Sequence, residues 1–318
     1  MQPTSGDGEA VPPAARPQAP SAATALPDLA VPPSAPPART RSWMSALQPA
    51  DPAPGFDPSV AHPARVYAYW LGGKDHYLAD RQAGEEVIRS RPQVVAGARA
   101  NRAFLARVVR YLAGECGIRQ FVDIGTGLPA PGSTHEVAQA IAPDAWVVYC
   151  DNDPLVLVHA RALLTSTGQG SCDYIDADVR DTPAILTRAA RTLDFTHPVA
   201  VLLLAILHFI PGTDDPAAIV AALVGALAPG SYLAISHLTG DFAPGPVTAG
   251  VQAYNTQVRT GVTARTHTQV TALFGGLPLV APGVVPVTEW RPALTSAFSS
   301  SCPADLYAGV ARIPGDRM

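Results

Sequence analysis

The feature that most constrains this chain is the run from Phe121 to Pro129, an apolar strand that ends in a glycine turn. Ile118, Phe121, Val122 and Ile124 supply the strand's apolar side chains. Gly125 and Gly127 carry no Cβ, so the backbone can turn sharply there and come close to a ligand. Asp123, two residues before the first glycine, brings a carboxylate to the same crevice. In an open α/β sheet, ligands bind outside the carboxyl ends of the parallel strands, at turns of this kind.

The rest of the chain supplies the sheet that such a turn requires. Apolar strand patterns fall at 119–124, 146–151, 172–176, 199–206 and 231–237, separated by helical patterns at 133–142, 154–165, 181–191 and 215–227. This alternation predicts a parallel sheet with right-handed crossovers. The fourth strand, an unbroken apolar run, suits a central position covered on both faces. Helical periodicity also precedes the sheet, from Ser59 through Trp70, over Asp80 to Arg89, and from Val94 to Leu112. Beyond His237 we expect helices near 246–259 and 267–274 and late strands near 278–287 and 305–312, the first of these broken by Pro278, Pro282, Gly283 and Pro286. Residues 1–56 form a Pro/Ala-rich tract holding 14 of the 33 prolines before Ser59, and such a tract is expected to be a disordered arm. Trp43, Met44 and Leu47 could form a short docking element there, though a stray apolar cluster is the simpler reading.

Taken alone, the turn admits two ligands. Gly125-x-Gly127-x-x-Ala130 satisfies the dinucleotide pattern. Against it, Asp123 would repel a pyrophosphate, and Pro129, Pro131 and Gly132 delay the next helix to a capping box at Ser133-Thr-His-Glu136. A carboxylate beside a wide glycine turn suits instead the amino-acid end of S-adenosylmethionine (SAM). The plainer alternative is a strand-to-loop turn without any ligand.

Later strand ends extend the pocket. Asp151 follows the second strand 24 residues after Gly127, where a carboxylate accepts the hydroxyls of a ribose. Asn152 accompanies it, and Asp153 is placed to cap the helix opened by Pro154. After the third strand, Asp178 is placed to accept from an adenine amino group while the backbone N–H of Val179 meets the ring; Asp181 is a helix-capping acid. The fourth strand ends in Ala205-Ile206-Leu207-His208, facing a ligand on the sheet top. His208 could act as a base, orient a substrate or be a core histidine; His237, ending the fifth strand, and Tyr67 stand behind it as catalytic candidates. In Leu71-Gly-Gly-Lys-Asp-His76, Lys74 is the chain's single lysine among 22 basic residues, and the segment is either a lid over the cofactor's methionine end, with Lys74 or Arg102 at its carboxylate, or a plain helix end. The region from Leu238 to Gly276, with Phe242, Tyr254 and Phe274, is expected to shape the acceptor pocket.

Composition removes several classes. A net charge of -4 gives no basic field for nucleic acid or an anionic membrane. The longest apolar run, Val199 to Ile210, is too short to span a bilayer, and the N-terminus lacks signal-peptide order. The four cysteines have no metal-type spacing, and no histidine pair accompanies them, so we expect no metal and a reducing cytoplasm.

Several runs together carry a resemblance. They are Arg65-Val-Tyr67 with Leu71 to His76, Arg99 to Phe104, Gln120 to Pro129, His135 to Ala138, Tyr149 with Asp151 to Pro154, and Val284 to Val287 with Trp290-Arg-Pro292. The chain from Asp57 to Pro314 resembles an actinobacterial family of class I SAM-dependent methyltransferases long known only as a domain of unknown function. The resemblance implies a Rossmann-like, mostly parallel seven-stranded sheet with helices on both faces, preceded by N-terminal helices: a helical cap at 57–118 and a SAM-binding core at 119–318. It implies SAM as cofactor but no firm substrate; with the reading of the strand ends above, we expect Asp123, Gly125, Thr126, Gly127, Asp151, Asn152, Asp178, Val179, Ala205, Lys74 and Arg102 around the cofactor, and a small-molecule acceptor. The general class has a third glycine where this chain has Pro129, and no Asp/Asn-Pro-Pro-Tyr run follows the fourth strand, which weighs against a nucleic-acid base as acceptor. The rivals are an NAD(P)-dependent oxidoreductase and a SAM-binding regulator without catalysis.

Overall fold

The computed structural model describes residues 57–163, 169–292 and 304–315. The expected arm, with Trp43, Met44 and Leu47, lies outside the described residues, as does Cys302. The strands are β1 (Gln120–Ile124), β2 (Trp146–Asp151), β3 (Ser171–Asp176), β4 (Ala200–Leu204), β5 (Tyr232–Leu238), β6 (Val285–Pro286) and β7 (Leu306–Arg312). They form one seven-stranded sheet in the order β3-β2-β1-β4-β5-β7-β6. The pairs from β3 to β5 are parallel, and β7 runs antiparallel between β5 and β6.

Alternation along the strands gives the sheet its two covered faces. Val122 and Ile124 of β1, with Val148, Val201, Leu203 and Ile235, pack on one face against α6 (Thr182–Ala189), α7 (Pro216–Gly225) and α9 (His267–Ala272). Phe121, Val147, Tyr149, Leu202 and Ala234 face the other way onto α3 (Val94–Arg110) and α4 (Thr134–Gln139). All five residues of β4 are buried, as the unbroken apolar run predicts for a central strand. A third cluster, Ala61, Val66, Ala83, Val87 and Tyr254, joins the segment around α1 (Pro63–Trp70) to α2 (Leu78–Ser90) and to α8 (Pro244–Asn255). The α2–α8 contact brings the N-terminal helices and the insertion after β5 to the same side of the molecule.

Several helices are a few residues shorter than expected, and two expected strands are shortened, each for a local reason. The apolar run through residue 206 stops being strand at Leu204, because Ala205 adopts a left-handed φ of 57°. The late strand expected at 278–287 contracts to Val285–Pro286 plus a bridge from Leu279 to Ala311, since Pro278, Pro282 and the left-handed Gly283 interrupt pairing. The helix expected at 154–165 is described as α5 (Pro154–Leu163).

The N-terminal helices are tied to the sheet by a buried ionic cluster. The Asp153 carboxylate lies 3.0 Å from His62 Nδ1 and 3.4 Å from Arg65 Nε, while its other oxygen accepts from Leu155 N–H and caps α5. Asp80 accepts from the backbone N–H groups of His62 and Tyr77. Burial is the largest influence on the Asp153 pKa and raises it, but the hydrogen bonds from His62 and Leu155 and the charges of His62 and Arg65 together outweigh it, and the value falls below the ordinary carboxylate range.

Candidate cofactor and acceptor site

A cavity of about 230 Å³ opens at the carboxyl ends of β1, β2 and β4, beneath α1, α2 and α8. The glycine turn forms one corner. Gly125 has φ 75°, and a Cβ there would lie 2.7–2.8 Å from three side-chain carbons of Ile206, so both the turn and the approach of Ile206 exclude any larger residue. Gly127 has φ 69° and nothing within 4 Å of where its Cβ would be, which leaves its face open to a ligand. The capping box forms as expected, and α4 begins only at Thr134. The delay removes the helix N-terminus that a pyrophosphate would need directly after the glycines.

Two buried carboxylates flank the turn. Asp123 accepts a 2.6 Å hydrogen bond from the Thr134 hydroxyl. Burial, opposed by Thr134 and Arg102, pushes it up to about 6. Asp151 accepts from the backbone N–H of Gly127 at 2.7 Å through one oxygen and from that of Asp153 at 3.0 Å through the other. Burial raises its pKa as well, against the pull of those two donors. Ionised acids held out of water favour a cation between them and disfavour a phosphate. Farther along, Asn152 donates to Asp178, which also accepts from Arg180 through backbone and guanidinium. Arg102 reaches the rim and donates to the carbonyl of Pro131.

Of the residues expected around a cofactor, Asp123, Gly125, Thr126, Gly127, Asp151, Asn152, Asp178, Val179, Ala205 and Arg102 all line this cavity. Lys74 is exposed and lies outside the lining. Of the three catalytic candidates, His208 and Tyr67 line it and His237 does not. Tyr67 has its hydroxyl committed on both sides, donating to Ala98 O at 3.0 Å and accepting from Asn101 at 3.1 Å. His237 is fully buried, with Nδ1 at 2.7 Å from Leu238 O and Nε2 at 2.7 Å from Arg265. Burial pushes its pKa down to about 4, so the ring is neutral: Nδ1–H donates and Nε2 accepts. His208 keeps Nδ1 without a hydrogen-bond partner. From the region after β5, Tyr254 lines the cavity, whereas Phe242 packs on Tyr307 and Phe274 lies in the core.

Three features of the site are not evident from sequence patterns. Arg265, 8% exposed, donates to Leu207 O at 2.9 Å and Ile210 O at 2.7 Å, clamping the short turn that carries His208. It belongs to no helical or strand period, so no pattern marks it. A buried chain of hydrogen bonds runs from Tyr67 through Asn101 to the Ser236 hydroxyl, and from Ser236 to the N–H of Ala205 at 2.9 Å. Accepting from that N–H, the Ser236 hydroxyl helps to hold the left-handed residue at the end of β4. Arg91 and Asp305 form a close buried ion pair in the cavity wall.

The family profile for S-adenosyl methyltransferases matches residues 49–314, nearly the whole chain. The chain belongs to this family. A DUF574 family protein from Streptomyces avermitilis is 43% identical and superimposes with a TM-score of 0.78, over 81% of this chain and 99% of that one. A Thermobifida fusca protein, solved under a provisional methyltransferase assignment, is 40% identical with a TM-score of 0.75, over 82% of this chain and 98% of that one. Among curated proteins none matches the sequence. The methyltransferase therefore has the expected class I fold and uses SAM. Among the described residues no group of three or more His, Cys, Asp or Glu gathers as a metal site, and no helix is long and apolar enough to cross a membrane.

Proposed function

We propose that this methyltransferase moves a methyl group from SAM to a nucleophilic atom of a small molecule held beneath α1, α2 and α8. The observation that carries this reading is the pair of buried carboxylates at the glycine turn, which are placed to meet a cationic group and hydroxyl donors. In this reading Asp123 holds the ammonium of the methionine end and Arg102 its carboxylate. The backbone of Gly125, Thr126 and Gly127 lies along the ligand. Asp151 and Asn152 take the ribose, Asp178 and the N–H of Val179 take the adenine, and Ala205 forms the floor. His208 faces the acceptor, while His237 and Tyr67 position neighbours instead of touching it. Lys74 has no role in this arrangement. SAM supplies an already activated methyl, so orientation by the protein contributes much of the catalysis. Within this reading, residues 57–118 with α8 close the pocket over the sheet, and the enzyme works in the cytoplasm, where Cys116, Cys150 and Cys172 stay free thiols.

Calorimetric titration tests it. The wild-type chain is expected to bind SAM and not NAD. Asp151→Ala weakens SAM by about 10- to 100-fold, as expected on removing a charged hydrogen-bond acceptor. Equal affinity for NAD, or an unaffected variant, would refute the assignment.

The same pair predicts a pH dependence. Ionised Asp123 attracts the ammonium and protonated Asp123 does not. Its pKa is about 6, so SAM affinity is expected to fall by about tenfold per pH unit well below that value. The raised pKa also means that the ligand-free protein loses stability as pH rises from the ordinary 3.8 through about 6, and the bound ammonium offsets that loss. Asp123→Asn should flatten the affinity profile between pH 5 and 7.5, values chosen to bracket about 6; a profile as steep as wild type would point to another group.

A further inference from the structure

The acceptor half of the cavity has a chemical character of its own. Four rings follow one another along its wall: Trp70 to Tyr254 at 6.5 Å between centroids, Tyr254 to Phe209 at 6.2 Å, and Phe209 to His208 at 4.4 Å. Val87, Val247 and Leu306 add aliphatic surface. The charged side chains there, Arg91 and Asp305, are paired with each other, so this part of the wall presents no net charge. His208 is neutral too, because burial, then His237 and Arg265, hold its pKa well below the ordinary value.

Against this apolar setting three polar atoms lack a partner: Nδ1 of His208, the hydroxyl of Tyr254 and Oδ1 of Asp305. Their side chains belong to residues only 8%, 4% and 6% exposed, and all three residues line the cavity. Buried polar atoms are rarely left unsatisfied in a folded protein, so the set calls for an occupant that brings hydrogen bonds of its own. A charged occupant would lose its hydration with no opposite charge free to compensate. A hydroxyl both donates and accepts, so it satisfies the His208 nitrogen in either tautomer and can pair with a tyrosine hydroxyl.

We propose that the methyl acceptor is an uncharged, largely apolar ring compound carrying a hydroxyl, seated against Trp70, Phe209 and Tyr254 with that hydroxyl at Nδ1 of His208. This rests on the SAM reading above. The hydroxyl oxygen forms the new bond to the methyl carbon as the carbon–sulfur bond breaks, and the electron pair of that bond stays on sulfur. The hydroxyl, oriented by its hydrogen bond at His208, loses its proton to water as the new bond forms. A methyl ether, a neutral thioether and one proton result from a cationic donor and a neutral acceptor, so charge and atoms balance.

The test is binding, read on the full chain saturated with S-adenosylhomocysteine, whose uptake is first established by calorimetry. Four probes share one ring system: 2-naphthol, 2-naphthoate, 2-naphthylmethylammonium and 2-methylnaphthalene. Their intrinsic fluorescence reports binding. We expect 2-naphthol to bind about tenfold or more tightly than either charged probe. His208→Leu should weaken 2-naphthol by about fivefold, the worth of one net hydrogen bond, and leave 2-methylnaphthalene unchanged. A charged probe binding as tightly as 2-naphthol overturns the proposal. So does an equal loss for both neutral probes in His208→Leu, or the failure of every probe to bind the saturated protein. A chain that takes up no S-adenosylhomocysteine overturns the cofactor reading instead, and the acceptor proposal with it.

Discussion

Gly125→Ala is expected to lower the unfolding temperature by roughly 5–15 °C and to abolish measurable SAM binding. Two costs combine. An L-residue at φ 75° loses about 1–2 kcal/mol. A Cβ within 2.8 Å of the β-branched carbon of Ile206 adds about 1–3 kcal/mol of overpacking, because the neighbour is a short, stiff side chain that cannot swing away. Gly127→Ala is the control. Its φ of 69° incurs the first cost only, since nothing lies within 4 Å of the new methyl. Thermal unfolding of the two variants side by side decides the matter: equal drops would mean that Ile206 is not what excludes a side chain at 125. The ligand-binding effect should separate as well, with Gly127→Ala retaining weakened SAM binding because its methyl occupies open cavity and not protein.

Arg265→Met carries the second large effect. The substitution leaves the carbonyls of Leu207 and Ile210 and Nε2 of His237 without their buried donor. Together these amount to about 3–5 kcal/mol of lost stability. The variant should also separate binding from turnover. The turn bearing His208 loses its clamp while the glycine corner is untouched, so SAM affinity should stay within about twofold of wild type as methyl transfer falls sharply. Arg265→Lys is not expected to rescue it, since one ammonium cannot reproduce a planar fork that reaches two carbonyls and an imidazole. A methyl-transfer rate unchanged in Arg265→Met, or restored by lysine, would show that Arg265 merely fills space.

How far these features could be read from the chain depends on the distance over which their cause acts. The order of strands and helices is local, written in apolar period and punctuation, and it emerged almost intact. So did the capping box at Ser133 and the cap at Asp153, where a side chain serves the backbone two or three residues away. The acids at three successive strand ends were legible for a related reason: in a parallel sheet the ends of consecutive strands meet at one rim, so sequence order predicts proximity. Arg265 was not legible. Its partners lie 58, 55 and 28 residues away, and nothing in its neighbourhood distinguishes it from an exposed arginine. His237, which lies outside the cavity lining, is the opposite case. Its place at a strand end matches that of a catalytic group, but in the fold its ring is held by Leu238 O and by a guanidinium from the loop between α8 and α9. Lys74 drew notice by being unique, a matter of composition and not of position.

The buried link from Tyr67 through Asn101 and Ser236 to Ala205 bears on how such a protein can be divided or inherited. Its members come from α1, α3, β5 and the end of β4, and the tightest contact, 2.6 Å between Ser236 and Asn101, spans 135 residues of chain. A recombination event that exchanged the N-terminal helices for those of a distant relative would have to bring an amide at position 101 and a hydroxyl at position 67, or leave a polar cavity under the left-handed residue. The leading helices and the sheet should therefore travel through evolution as one inheritance, and variety in acceptor choice should accumulate in α8, which meets the pocket without joining that chain of bonds.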